Sequence, residues 1–129
     1  MSEVEYNKLT DKILASAIEV HQLLGPGLLE SVYEYCLVEE LRRNGLNVQR
    51  QVKLPIIYKG RNLEKDFFID LLVEDKVVIE LKAVEEVLPV HEVQLLTYLK
   101  LSEKKLGLLI NFHVPILKQG VKRKINGVL

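Results

Sequence analysis

The sequence predicts a single α/β domain on a mixed central sheet, with elements in the order α, α, β, β, β, α, β. Three observations carry that prediction. The chain has 129 residues, 48% of them hydrophobic, which suits one compact core and is too short for two. Its first third repeats apolar residues at the three- and four-residue spacing of helices. Its middle third switches to short, nearly continuous apolar runs separated by turn residues, as buried strands do.

Leu9, Ile13, Ala17, Val20 and Leu24 form the stripe of an amphipathic helix from about Asn7 to Leu24. Gly25-Pro26-Gly27 breaks it. A second helix is expected from Leu28 to about Asn44, with Gly45 as its stop. Gln49–Leu54 reads as a half-exposed strand, and Pro55 suggests an edge or a bulge. Tyr58–Asn62 reads as a turn. Phe67–Val73 and Lys76–Leu81 read as two strands of a tight hairpin, apolar on both faces and therefore central. A third helix is expected from about Val90 to Ser102, a buried strand from Leu106 to Phe112, and a basic tail from Lys118 with one short strand and a loose end.

Lys plus Arg and Asp plus Glu both total 18, so the net charge is zero and a uniformly basic nucleic-acid coat is excluded. The zero is an average over blocks. Residues 1–40 carry eight acids and two bases, 41–65 seven bases and one acid, 66–99 eight acids and two bases, and 100–129 seven bases and one acid. The single cysteine, Cys36, excludes a disulfide framework and a cysteine-based zinc site, and its apolar neighbours suggest a buried, inert thiol. No apolar stretch reaches the roughly 18 residues that span a bilayer, and the acidic start does not resemble a signal peptide. The expectation is a cytoplasmic protein with no membrane association and no organic cofactor.

Two acids interrupt the apolar strands. Asp70 sits inside Phe-Phe-Ile-Asp-Leu-Leu-Val, and Glu80 near the end of Val-Val-Ile-Glu-Leu-Lys. An unpaired buried carboxylate is costly, so each needs a partner such as a cation or metal. Strand alternation projects Glu80 and Lys82 to one face. Asp70 faces Glu80 directly if the hairpin loop has three residues, Glu74-Asp75-Lys76; a two-residue turn would oppose Asp70 to Ile79 and split the acids. Two carboxylates and a lysine together suit a hard cation such as Mg²⁺ or Mn²⁺ acting on a phosphate. Glu30 and Tyr33 share a face of the second helix, and His91, Gln94 and Tyr98 form a polar stripe on the third, opposite Val93, Leu96 and Leu99.

These residues together resemble the GxxExxY family, a branch of the PD-(D/E)XK nuclease superfamily. The resemblance rests on Gly27-x-x-Glu30-x-x-Tyr33, Ile69–Val73, Val78–Ala83, His91–Leu99 and Gly107–Phe112, in that order. Gln94-x-x-x-Tyr98 is also similar to the Q-x-x-x-Y motif of the superfamily's exonuclease branch. The resemblance implies an αβββαβ core with an extra N-terminal helix, and a divalent-metal-dependent nuclease that hydrolyses DNA. Asp70, Glu80 and Glu30 would be metal ligands, Lys82 would assist the attacking water, and Gln94 and Tyr98 would steady the site. Tyr33, His91 and Gln94, with Arg42, Arg43, Lys122 and Arg123 from the basic blocks, would contact DNA. A homodimer is also implied, since small junction-cutting relatives often pair. One position departs: Phe68 stands where family members often carry a base. The alternative is a catalytically idle nuclease-derived module that binds nucleic acid or protein.

Overall fold

A computed structural model describes residues 1–129. Helix α1 (Glu3–Leu24) and helix α2 (Glu30–Arg43) precede strands β1 (Val48–Tyr58), β2 (Arg61–Val73) and β3 (Val77–Lys82). Helix α3 (Pro89–Ser102) crosses to β4 (Leu106–Asn111), and a single 3-10 turn (Leu117–Gly120) leads into β5 (Val121–Ile125). The strands lie in chain order in one five-stranded sheet. Only β3 and β4 run parallel, as the α3 crossover between them requires. The sheet is therefore mixed, as expected.

α1 and α2 cover one face, where Ile13, Tyr33, Leu37 and Leu41 pack on Leu71, Ile79, Leu81 and Ile110. α3 covers the other, packing Leu95, Tyr98 and Leu99 on Ile69, Leu72, Val78 and Leu109. Gly107 admits that helix closely: a Cβ there would lie 2.8 Å from a Leu95 methyl. Cys36 is partly buried against the α1–α2 core.

Four expectations are corrected. α1 starts a turn earlier than Asn7, because Ser2 and Glu5 form a reciprocal capping box. α2 starts at Glu30 rather than Leu28, and Leu24 stays exposed. The Tyr58–Asn62 turn shrinks to Lys59-Gly60, both at positive φ (51° and 75°), so β1 and β2 form one long hairpin. Val93 faces solvent rather than the core, and Tyr98 belongs to the buried side of α3.

Of the two loop lengths left open, the β2–β3 hairpin takes the three-residue one, so β3 starts at Val77 rather than Lys76. Val73 pairs with Val77 across the three-residue loop Glu74-Asp75-Lys76, with Glu74 and Asp75 both at φ 54°. Ile69, Leu71–Val73 and Val77–Leu81 are buried, as expected of central strands, with Asp70 and Lys82 half-buried, but Phe67 and Phe68 are 44% and 50% exposed. They lie beyond Leu71, where β2 loses β3 as a partner and continues with β1 alone.

Candidate active site

The site forms where β2 and β3 part. The hairpin register, carried one pair beyond Leu71–Ile79, sets Asp70 opposite Glu80. The two then lock together: the Asp70 amide donates to Glu80 Oε1 at 3.3 Å, and the Leu81 amide donates to Asp70 Oδ2 at 2.8 Å. The β1–β2 ribbon also rolls here. Leu71 and Val73 face the α1–α2 core, yet Ile69 and Leu72, three apart, both face α3. On the facing strand, Gln51 takes a φ of 49° opposite Asp70. That roll turns Asp70 toward the N-terminus of α2 as well as toward Glu80.

Glu30 opens α2 and approaches from that side. Glu30, Ser31, Glu34, Gln51 and Asp70 line one polar cavity of about 280 Å³. Partial burial, reinforced by the charge on Asp70, raises the pKa of Glu30, while the Lys82 ammonium works against the shift. The Glu80 pKa is pushed up to about 9, mainly by burial and next by Asp70, with Lys82 again opposing. A second carboxylate cannot ionise cheaply beside the first in a site poor in water. Asp70 and Glu80 are thus in contact, with Glu30 and Lys82 near enough for their charges to act on the pair or be acted on by it.

Gln94 and Tyr98 also reach this place. Gln94 Nε2 donates to Tyr98 Oη at 3.1 Å, and burial, followed by the charge of Glu80, raises the tyrosine's pKa. The Tyr98 ring also meets Phe67 at 5.6 Å. His91 sits at the start of α3, where its Nδ1 accepts the Leu88 amide at 3.0 Å, leaving Nε2 open.

The expected nucleic-acid contacts are largely elsewhere. Tyr33 is fully buried: it stacks on Phe112 at 4.5 Å, donates to the Gly25 carbonyl at 2.6 Å and accepts the Leu28 amide at 3.1 Å. It therefore holds the Gly25–Leu28 bend and presents nothing to a ligand, a correction to the expected contact. Arg42 and Arg43 close α2, about 18 Å from Glu30 at the helical rise per residue. Arg42 donates to the Val48 carbonyl at 3.0 Å, and Arg43 pairs with Glu39 at 3.0 Å. Arg123 donates to Asn7 Oδ1 at 2.7 Å on the α1 side. Lys122 pairs in register with Leu109, which pairs with Glu80, but its charge acts on Glu92 of α3. These four bases fold to the periphery because β5 and the end of α2 lie away from the β2–β3 fork.

Two groups of supporting residues escaped the sequence reading. Glu34, buried one turn after Glu30, pairs with Arg50 at 2.8 Å and accepts Gln51 Nε2 at 2.6 Å, and that amide also reaches Asp70 Oδ1 at 3.4 Å. The four-residue step from Glu30 was the available signal. Asn111, buried at the end of β4, grips the backbone just after Lys82 by accepting the Val84 amide (3.1 Å) and donating to its carbonyl (2.8 Å). A polar residue closing an apolar strand was its signal.

No three His, Cys, Asp or Glu side chains form a ready cation cluster, so the expected three-carboxylate ligand set is not preassembled. Like charges without a cation between them repel, and Glu30 stands back while Asp70 and Glu80 adjoin through main-chain donors. The donors nevertheless fit a hard divalent ion: all are carboxylate oxygens, and a cation would offset the Asp70 charge that adds to burial in raising Glu80. No helix is long and apolar enough to cross a membrane.

No curated protein matches the sequence. The crystal structure of SSO0001 superposes with a TM-score of 0.55 at 23% identity, covering 98% of this chain and 62% of that one, a likeness of fold. The chain thus spans about 62% of the length of that solved protein. A family model of the PD-(D/E)XK nuclease superfamily matches residues 7–124, nearly the whole chain. The chain belongs to the PD-(D/E)XK nuclease superfamily, whose members are generally hydrolytic nucleases.

Proposed function

We propose that the chain is a divalent-metal-dependent nuclease of the GxxExxY branch that hydrolyses DNA phosphodiester bonds. The observation that carries this reading is the convergence of Glu30, Asp70, Glu80 and Lys82 at one fork of the sheet. Asp70 and Glu80 would hold Mg²⁺ or Mn²⁺, with Glu30 completing the acidic set; such an ion polarises a phosphate and acidifies a bound water. Lys82, on the Glu80 face, directs its ammonium donors at the attacking water and offsets charge that builds on the phosphate oxygens. Gln94 and Tyr98 supply a fixed polar pair beside Glu80. The water oxygen bonds to phosphorus, the bond to the leaving sugar oxygen breaks, and one proton passes from the water to that oxygen through solvent.

Purified protein given Mg²⁺ or Mn²⁺ should cleave DNA, and Glu80→Ala or Lys82→Ala should each lower the rate about 100-fold or more. Absence of metal-dependent cleavage of single-stranded, duplex, flapped and branched DNA would refute the proposal. One observation favours a second reading, an idle nucleic-acid-binding module. Asp70 and Glu80 already engage main-chain amides, a role that needs no metal. That reading predicts no divalent-ion heat by calorimetry, and DNA affinity unchanged in Asp70→Ala. Pairing with a second copy belongs to the nuclease proposal, and a single-chain mass by light scattering at micromolar concentration would remove it.

A further inference from the structure

Beyond Leu71 the β1–β2 hairpin leaves the sheet as a two-stranded arm ending at Lys59-Gly60. It carries three rings (Tyr58, Phe67 and Phe68) and four bases (Lys53, Lys59, Arg61 and Lys65). Phe67 meets Tyr98, and Lys59 Nζ lies 5.5 Å from the Tyr58 ring centroid, whereas Phe68, 50% exposed, has no such partner. Phe68 pairs across the arm with Lys53, on the side away from Leu54, Phe67 and α3. It lies two residues from Asp70, roughly 7 Å along the strand. Residues 53–68 carry four bases and two acids. Asp66 is committed to Lys53 at 3.1 Å, which leaves three bases, Lys59, Arg61 and Lys65, and one acid, Glu64, in the rest of the arm. The arm is therefore basic, while the cavity at its root, lined by Glu30, Glu34 and Asp70, is acidic.

We infer that this arm is a platform for single-stranded DNA, on which an unpaired base stacks against Phe68 while Lys59, Arg61 and Lys65 hold the phosphates. The inference rests on the nuclease reading and names the form of its substrate. The π-face of a ring can serve only a base that has left its own stack, and the bases of a duplex have not. The arm's one side-chain amide, Asn62, already accepts the Glu64 amide with its Oδ1 at 2.9 Å, so it cannot present the paired donor and acceptor that reads a base edge. Recognition is therefore by strand form rather than by sequence. A symmetric contact with a second copy would set these like charges against themselves, which disfavours that occupant.

The test is fluorescence anisotropy of labelled oligothymidine and of a matched blunt duplex, with Glu80→Gln protein so that the probes survive. The single strand should bind more tightly than the duplex. Phe68→Ala should weaken oligothymidine binding about tenfold or more, and Phe68→Trp should restore it. Equal affinity in Phe68→Ala, no rescue by Phe68→Trp, or preference for the duplex would overturn the platform. A dimer that Phe68→Ala dissociates, with oligothymidine affinity unchanged, would assign the face to a second copy and overturn it too. Cleavage by the intact protein separates the two ideas. Cleavage without dependence on Phe68 removes the platform alone, whereas binding without cleavage removes the nuclease reading alone. A protein that neither binds nor cleaves loses both.

Discussion

Two hairpins share strand β2 and differ in almost everything else. The β2–β3 hairpin is buried on both faces, closes through three residues and carries Asp70 and Glu80. The β1–β2 hairpin runs out beyond the sheet, closes through two residues and carries rings and bases on an exposed ribbon. Burial does chemical work in the first: it keeps a carboxyl neutral far above its ordinary range and makes that position receptive to a cation. The second keeps its charges hydrated, where they give reach and salt-sensitive attraction rather than altered acidity. One strand thus passes through a low-dielectric half and a wet half, and Asp70 lies at the boundary between them.

The sharpest contrast should come from the same truncation in both halves. Ile79→Ala, in a fully buried position of β3, should cost about 2–5 kcal/mol, whereas Ile57→Ala, exposed on the arm, should stay within about 0.5 kcal/mol. Chemical denaturation measures both, and equal costs would mean that the arm is packed rather than free.

The next effect is the pH dependence. Glu80 has a folded-state pKa above its unfolded one, so between about pH 5 and 9 the folded chain keeps a proton that the unfolded chain releases. Metal-free protein should therefore lose stability as pH rises through that window, on the order of a few kcal/mol. Saturating Mg²⁺ should flatten the slope by taking the proton's place. Thermal melts across the window, with and without the ion, report this, and a Tm that climbs with pH would show Glu80 ionised in the folded state.

The smallest effect concerns the turn of the arm. A Cβ on Gly60 meets nothing, so Gly60→Ala should cost only the strain of a φ of 75°, about 1 kcal/mol, with the pH profile unmoved. A profile that shifted with Gly60→Ala would mean that the two hairpins are mechanically coupled.

What was legible in advance followed from short-range rules. Strand parity specifies that Asp70 and Glu80 share a face only across an odd-length loop; the choice between two and three residues was not legible, and the structure has three. Lys82 follows from Glu80 by the same parity. The fate of Phe67 and Phe68 was not legible, since an apolar run reads alike whether or not a third strand covers it. Tyr33 illustrates a different limit. A three-residue step from Glu30 fixes two side chains to one helical sector, but not the rotation of that sector against the sheet. The helix turns so that the ring is buried while the acid remains at the mouth. The Arg50–Glu34–Gln51–Asp70 network was hidden because it spans three separate elements.

The roll of β1 at Gln51 has a consequence for how the chain behaves among its own copies. β1 is an edge strand of eleven residues, and a straight exposed edge of that length invites other strands to add to it. This edge is broken twice: Gln51 stands at positive φ, and Pro55 has no amide to offer just where the register slips toward Ile57. Only Val52, Lys53 and Leu54 lie between, and Lys53 sets a charge in the middle of them. The rings on the arm can stay exposed because the backbone beside them makes a poor template for aggregation.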